Sequence, residues 1–411
     1  MKPRRDRTMY RGLPKENRRR FSEFMKKRKH WMALAIYDNS LTACVMSRED
    51  HGNEMRISAI KQDPSWGIRA GRIVNSHKAG EAMGFLLKTV SEKVGIKDHR
   101  VLIGLDSPPL RLTPKQWTDD SCLKAPCDET MYKRILHKIV RESSFDSQHI
   151  LEIVPLRICV DGRLVEDPCG ITGQISMDNM LISLSYQDYK DFEKCLGRIG
   201  YKCESFSSGF HNLCSAFSDC TCEGEHWLLV DLKYSSTDVI MFQGDQPVAM
   251  KCYQQGLDKI VVESLSSMLN IGRNDAITYV NRYCNGNKEN DGEIIGKDEL
   301  ASFSVGLKRW EMHEIVMGQL KKFIFMQDGI GELLARRKRD LQATPRKLIV
   351  IGEGSRIPEI DAFLEKGLKV KCETRNCPPS GADAHIPATA YGMARSIAAD
   401  VGAKLRSKIS F

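Results

Sequence analysis

No stretch of about 18 consecutive apolar residues occurs in the 411-residue chain, so nothing in it reads as a membrane-spanning helix. The basic N-terminus has no apolar core behind it, which excludes a secretory signal. The 14 cysteines are scattered. Cys44, Cys159 and Cys252 lie in apolar runs, where a free thiol packs as a small hydrophobe. The closest pair, Cys220 and Cys222 near His226, lacks a second pair at zinc spacing, so no metal site is expected. A reducing, cytoplasmic compartment follows. Glycine is also missing where it would be most useful. Val230–Phe242 reads as two strands around a turn, with Asp231 and Asp238 on either side of Lys233-Tyr234-Ser235-Ser236. A turn that admits a phosphate ordinarily carries glycines there, for bare N–H groups and positive φ.

What remains is a soluble composition, 41% hydrophobic and 28% charged, long enough for two to three domains. The net charge of +9 is concentrated at one end, because residues 1–30 hold 13 Lys or Arg against 3 Asp or Glu. A near-neutral body thus carries a basic tail, which suits an anionic partner, either a membrane surface or a nucleic acid. Arg18, Arg19 and Arg20 precede Phe21, Phe24 and Met25 on one helical face, and Trp31 stands as an interfacial residue at the end. That pattern suits attraction to anionic lipid with shallow insertion. A solvated tail and nucleic-acid contact by charge alone are the alternatives, the latter the less favoured.

Along the body, strand-like and helix-like segments alternate, which indicates an α/β protein. Met32–Met46 reads as strand, turn, strand, and Lys78–Val94 has helical spacing. The second half repeats the plan, from the Val230–Phe242 hairpin to a late strand, Leu348–Ile351, that runs into Gly352-Glu353-Gly354-Ser355. Two strand-turn-strand openings, each followed by helices, form the plan of the actin-like ATPases.

Four stretches resemble the FtsA family of actin-like bacterial cell-division proteins. They are Ser65–Asn75 (SWGIRAGRIVN); Val154-Pro155 with Val160-Asp161-Gly162 and Asp167-Pro168-x-Gly170-Ile171-x-Gly173; Val230-Asp231 with Thr237-Asp238; and Ile351–Ser355 with Pro358. The second is the most telling, because it falls in the small subdomain that sets this family apart; the pilus-assembly actin PilM is not expected to carry it. The resemblance runs from about residue 32 to about 392. It implies an actin-like ATPase fold of duplicated RNase H-like halves with an FtsA-type inserted subdomain. The expected divisions are a tail at 1–31, a first half at 32–98 and 185–225, the insert at 99–184, a second half at 226–258 and 340–411, and its outer subdomain at 259–339.

The same resemblance implies a role: holding FtsZ filaments at the inner face of the cell membrane at the division site, recruiting other division proteins, and self-association. The partner surface would lie on the outer subdomain, where Arg309, Lys321, Lys322, Arg336 and Arg337 could meet an acidic peptide. The implied cofactors are ATP and Mg²⁺, held by Asp231, Lys233, Ser235, Ser236, Thr237, Asp238, Gly352, Gly354 and Ser355. Yet the glycines of the phosphate hairpins are replaced. Tyr37 stands at the first hairpin, Lys233, Tyr234 and Ser235 at the second, and Glu353 within the third turn. On the purine-side helix, the family's acidic and lysine positions fall on Ile277 and Val280. Each β-carbon in a positive-φ position costs roughly 1 kcal/mol or more. The sequence therefore leads to a scaffold with a degenerate nucleotide site and no catalytic residue. An active ATP-dependent FtsA-like polymer and a nucleic-acid adaptor working through the tail are the other readings.

Overall fold

The computed structural model describes residues 29–38, 40–48, 54–106, 109–143, 147–218, 225–285, 294–295, 307–341, 344–375, 387–400 and 404–405. The tail residues Arg18 to Met25 and the pair Cys220 and Cys222 lie outside the described residues. None of the helices among the described residues is long and apolar enough to cross a membrane.

Two compact units emerge. The first comprises Met1–Thr221, Asp245–Ala249 and Cys377–Phe411, and the second Cys222–Gly244 and Met250–Asn376. In the first, β1 (His30–Ile36), β2 (Ser40–Arg48) and β3 (Glu54–Pro64) form an antiparallel meander. Helix α1 (Ser76–Val94) packs on β2 and β3, and β4 (Arg100–Leu105) pairs parallel with β1. β1 reads HWMALAI because it is buried on both faces, which calls for a continuous apolar run rather than alternation. Trp31, expected at a membrane interface, is a correction: it is fully buried in β1, opposite Met46.

An antiparallel sheet then interrupts the unit. It contains β5 (Arg111–Asp119), β6 (Gln148–Val160) and β7 (Ile175–Ser185), with α2 (Glu129–Glu142) against it. Tyr132, Ile135, Leu136 and Ile139 of α2 meet Ile158, Val160, Ile175, Met177 and Leu181 in its core. Residues 100–105, expected at the start of this insert, belong instead to the first sheet, since β4 pairs with β1. The chain returns through α3 (Tyr186–Arg198), β8 (Lys202–Ser208), which pairs with β4, and α4 (Gly209–Phe217). The first sheet therefore runs β8-β4-β1-β2-β3, with Lys404–Leu405 added beside β3.

In the second unit, β9 (His226–Leu232), β10 (Thr237–Gln243), β12 (Lys347–Ile351) and β13 (Lys371–Thr374) form a sheet with β11 (Gln246–Tyr253), of which Met250–Tyr253 fall in this unit, in the order β11-β10-β9-β12-β13. Around it lie α5 (Glu263–Leu269), α6 (Arg273–Asn285), α7 (Arg309–Phe325), α8 (Ile330–Leu341) and α9 (Ile360–Leu368). Both sheets share one topology, a meander whose first strand pairs parallel with a later strand, so the duplication expected from the sequence is present.

The final helix, Ala388–Asp400, was expected in the second half. It packs instead on α4, β1 and β2 in the first unit. A β-carbon on Gly392 would lie 1.8 Å from the Asn212 carbonyl oxygen, so only glycine lets these helices approach so closely. Met393 and Ile397 of this helix are buried in the core.

Candidate functional site

The FtsA-like motifs become turns whose residue types the backbone explains. In Ser65–Asn75, Gly67 takes φ +78°, and its carbonyl accepts from the amides of Val74 and Asn75. Asn75 then caps α1 by accepting from His77 and Lys78. In the insert, Asp161 (φ 49°) and Gly162 (φ 76°) form a tight hairpin turn, and the Asp161 carboxylate accepts from the Gln174 amide at 2.8 Å. A β-carbon on Gly173 would collide with that carboxylate at 2.4 Å. The insert's signature is thus a structural clasp.

In the first hairpin, Ala35 is buried in β1, Tyr37 begins the turn and Asp38 lies at its tip, buried. The Asp38 carbonyl accepts from Ser65 Oγ at 3.2 Å. The Tyr37 amide donates to the Ser40 carbonyl at 3.0 Å, and its hydroxyl accepts from the Ala390 amide at 3.1 Å, at the start of the final helix. Burial, and next the Asp106 carboxylate, push the Tyr37 hydroxyl well above its usual pKa, so it serves as a neutral cap.

The second hairpin brings most of the expected residues together. Asp231 and Asp238 are directly paired across β9 and β10, so their side chains share one face. Lys233, two residues beyond Asp231, is buried and turns its ammonium back onto that face. Nζ donates to Asp238 Oδ2 and lies 3.8 Å from Asp231 Oδ2. The pair is therefore bridged by a lysine, and the same carboxylates belong to a buried group close enough together to hold a metal ion.

The tip is closed by its own backbone. The Lys233 amide donates to the Ser236 carbonyl, and the carbonyls of Lys233 and Tyr234 accept from the amides of Leu257 and Asp258 at 3.0 and 2.8 Å. Lys233, Tyr234 and Ser235 do not adopt positive φ, so the strain expected from their β-carbons does not arise; the turn is rebuilt in a form L-residues accept. Gly256 makes this docking feasible, because a β-carbon there would meet Tyr234 O at 2.4 Å and Lys233 O at 2.5 Å. Ser236 and Thr237 are fully buried, and Thr237 Oγ1 donates to the Gln255 carbonyl. Ser235 is half-buried.

Tyr234 extends toward α6. Its hydroxyl donates to Asp258 Oδ1 and accepts from Arg273 Nη2, each at 3.2 Å, while Arg273 also pairs with Asp258 at 2.7 Å. Sequence reasoning missed Gly256, Asp258 and Arg273, because none carries a motif and only folding places them beside the tip. On α6, Tyr279 and Val280 face the core. The third turn lies against the second hairpin: Gly352 (φ 80°) leaves no room for a β-carbon, which would be 2.5 Å from Asp231 Oδ1. Gly354 packs on Leu232, Ser355 Oγ donates to the Gly352 carbonyl, and Glu353 is exposed.

The expected partner residues differ in their surroundings. Arg309 is a correction: it is buried, donates to the Tyr283 carbonyl at 2.7 Å, and lies 5.3 Å from the Tyr283 ring centroid. Lys321 and Lys322 are exposed on α7. Arg336 pairs with Glu332 and Asp328 at 2.6 and 2.8 Å, and the Arg337 side chain lies outside the described residues.

Two sheets of one topology, with an inserted antiparallel sheet in the first unit, define an actin-like fold. Among solved structures, a PilM–PilN type IV pilus biogenesis complex matches with a TM-score of 0.59 and 15% identity, over 84% of this chain and 88% of that one. MreB5 of Spiroplasma citri, solved bound to ADP, aligns at a TM-score of 0.47 and 11% identity over 92% and 99%. In sequence the chain is FtsA-like: it is 22% identical over 349 residues to the cell division protein FtsA of Streptococcus pneumoniae serotype 2, covering 81% of this chain and 73% of that protein. No family model matches. The chain is thus an FtsA-like protein of actin fold.

Proposed function

We propose that this chain is a cell-division scaffold of the FtsA kind. It ties FtsZ filaments to the inner membrane surface through its basic tail, recruits further division proteins, and associates with itself. Its nucleotide site is degenerate. The likeness to a cell division protein over 349 residues supports the role. The observation that carries the degenerate site is the Lys233 ammonium bridging Asp231 and Asp238, beside a tip without glycine. Phosphoryl transfer needs an ordered metal and a positioned water, and this hairpin spends its carboxylates on its own lysine.

Calorimetric titration of Mg-ATP into the full chain tests the site. No heat up to millimolar ATP is expected, and micromolar binding would overturn the degenerate reading in favour of an ATP-dependent polymer. Flotation with anionic vesicles and FtsZ tests the role. FtsZ should float only with the chain, and not after residues 1–30 are deleted. DNA binding lost on that deletion, with lipid binding intact, would point to the adaptor instead.

A further inference from the structure

We propose that Lys233 is a tethered substitute for a divalent cation: its ammonium stabilises the hairpin that an exchangeable ion would otherwise hold together. This rests on the degenerate-site reading and deepens it by naming the group that balances the two carboxylates. Asp231 and Asp238 face one another in register and are both almost fully buried. Two carboxylates in that arrangement repel, and a cation must lie between them or one must take a proton. Lys233 supplies the cation from within the chain. Its side chain is itself buried, bonded to Asp238 and 3.8 Å from Asp231.

The tethering has a consequence for the tip. The lysine that reaches both carboxylates follows Asp231 by two residues, which places a β-carbon where a glycine would otherwise stand. The chain then adopts a turn without positive φ and docks its carbonyls on Leu257 and Asp258 across Gly256. Loss of the glycines and loss of the exchangeable ion are therefore one structural change. Removing the ammonium should uncover a pair of carboxylate oxygens suited to a hard divalent ion.

The experiment uses the full chain and its Lys233→Met variant, which keeps much of the side-chain volume and deletes the charge. Thermal unfolding is followed with EDTA or with millimolar Mn²⁺, and Mn²⁺ binding is read directly from loss of the free-ion paramagnetic resonance signal. The wild type should show the same Tm in both conditions and bind no Mn²⁺ at this site. K233M should melt lower in EDTA, by on the order of 10 °C. It should recover at least half of that loss in Mn²⁺ and bind one ion per chain. Adding Asp238→Asn to K233M relieves the repulsion, so the double variant should melt above K233M in EDTA and lose the Mn²⁺ response.

The proposal is overturned if K233M matches the wild type in EDTA, or if its loss is unmoved by Mn²⁺. It is also overturned if the double variant is as damaged as K233M, since lysine would then matter for packing rather than charge. Should K233M fail to fold, the double variant against D238N alone still decides. Mg-ATP binding by the wild type would sink the degenerate-site reading and leave these metal responses to be judged on their own.

Discussion

Trp31→Ala separates the membrane-interface role expected of this residue from the buried place it takes in β1. A buried tryptophan removes roughly 200 Å² from water, which at about 25 cal/mol/Å² amounts to some 5 kcal/mol. A compact unfolded chain already hides a part of that area, reducing the figure to about 3–4 kcal/mol. Trp31 has no exposed surface and pairs with Met46 inside the first sheet, so the full reduced value applies. Urea unfolding of W31A, followed by circular dichroism, should show that loss, while the fraction still folded floats with anionic vesicles as the wild type does. Trp66 serves as the internal control. It is 66% exposed, and its replacement by alanine should stay within about 0.5 kcal/mol. A W31A protein as stable as the wild type but weakened in vesicle binding would refute the placement and return Trp31 to the membrane.

Gly392→Ala should cost about 1–3 kcal/mol or more, measured as a lowered Tm, because the added carbon meets the backbone oxygen of Asn212, which no side-chain rotation can clear. Arg309→Ala should cost about 2–3 kcal/mol by removing the charged donor to the Tyr283 carbonyl. If the proposed scaffold role holds, FtsZ binding per folded molecule is unchanged in R309A, whereas reversing the charge of exposed Lys321 and Lys322 weakens it. Asp119 gives a pH effect. Burial pushes its carboxyl up, but Ser121 and Lys138 together pull it further down, so its net position is below the usual carboxylate value. A depressed carboxylate stabilises the fold above the unfolded pKa of about 3.9 and loses that contribution as pH falls through the folded value. Acid titrations should therefore show the stability gap between wild type and Asp119→Asn at neutral pH closing below about pH 4; a gap constant with pH would refute this.

Much of the architecture was legible because periodicity is local. The apolar run of β1, the spacing of Ala79, Met83, Leu86, Leu87 and Val90 on α1, and the paired hairpins each follow from residues close together in the chain. The FtsA-like stretches were legible too, as glycines that turns with positive φ require. The divisions were read less well. Residues 100–105 and the final helix belong with strands far away in sequence, and no local pattern states which sheet a strand will join.

At the site, the sequence by itself determined which groups are present: two aspartates, a lysine and a tyrosine where glycines would stand, and no tip glycine. Direction was decided only in the tertiary structure. A lysine beside a phosphate loop could have faced a phosphate, and Arg309 and Trp31 could have faced solvent or lipid. Strand register set Asp231 opposite Asp238, and burial then made an unbridged pair of carboxylates too costly, so the lysine turned inward. Gly256, Asp258 and Arg273 joined the hairpin for a similar reason. Their roles depend on a close approach between segments, which chain folding creates and sequence spacing does not express.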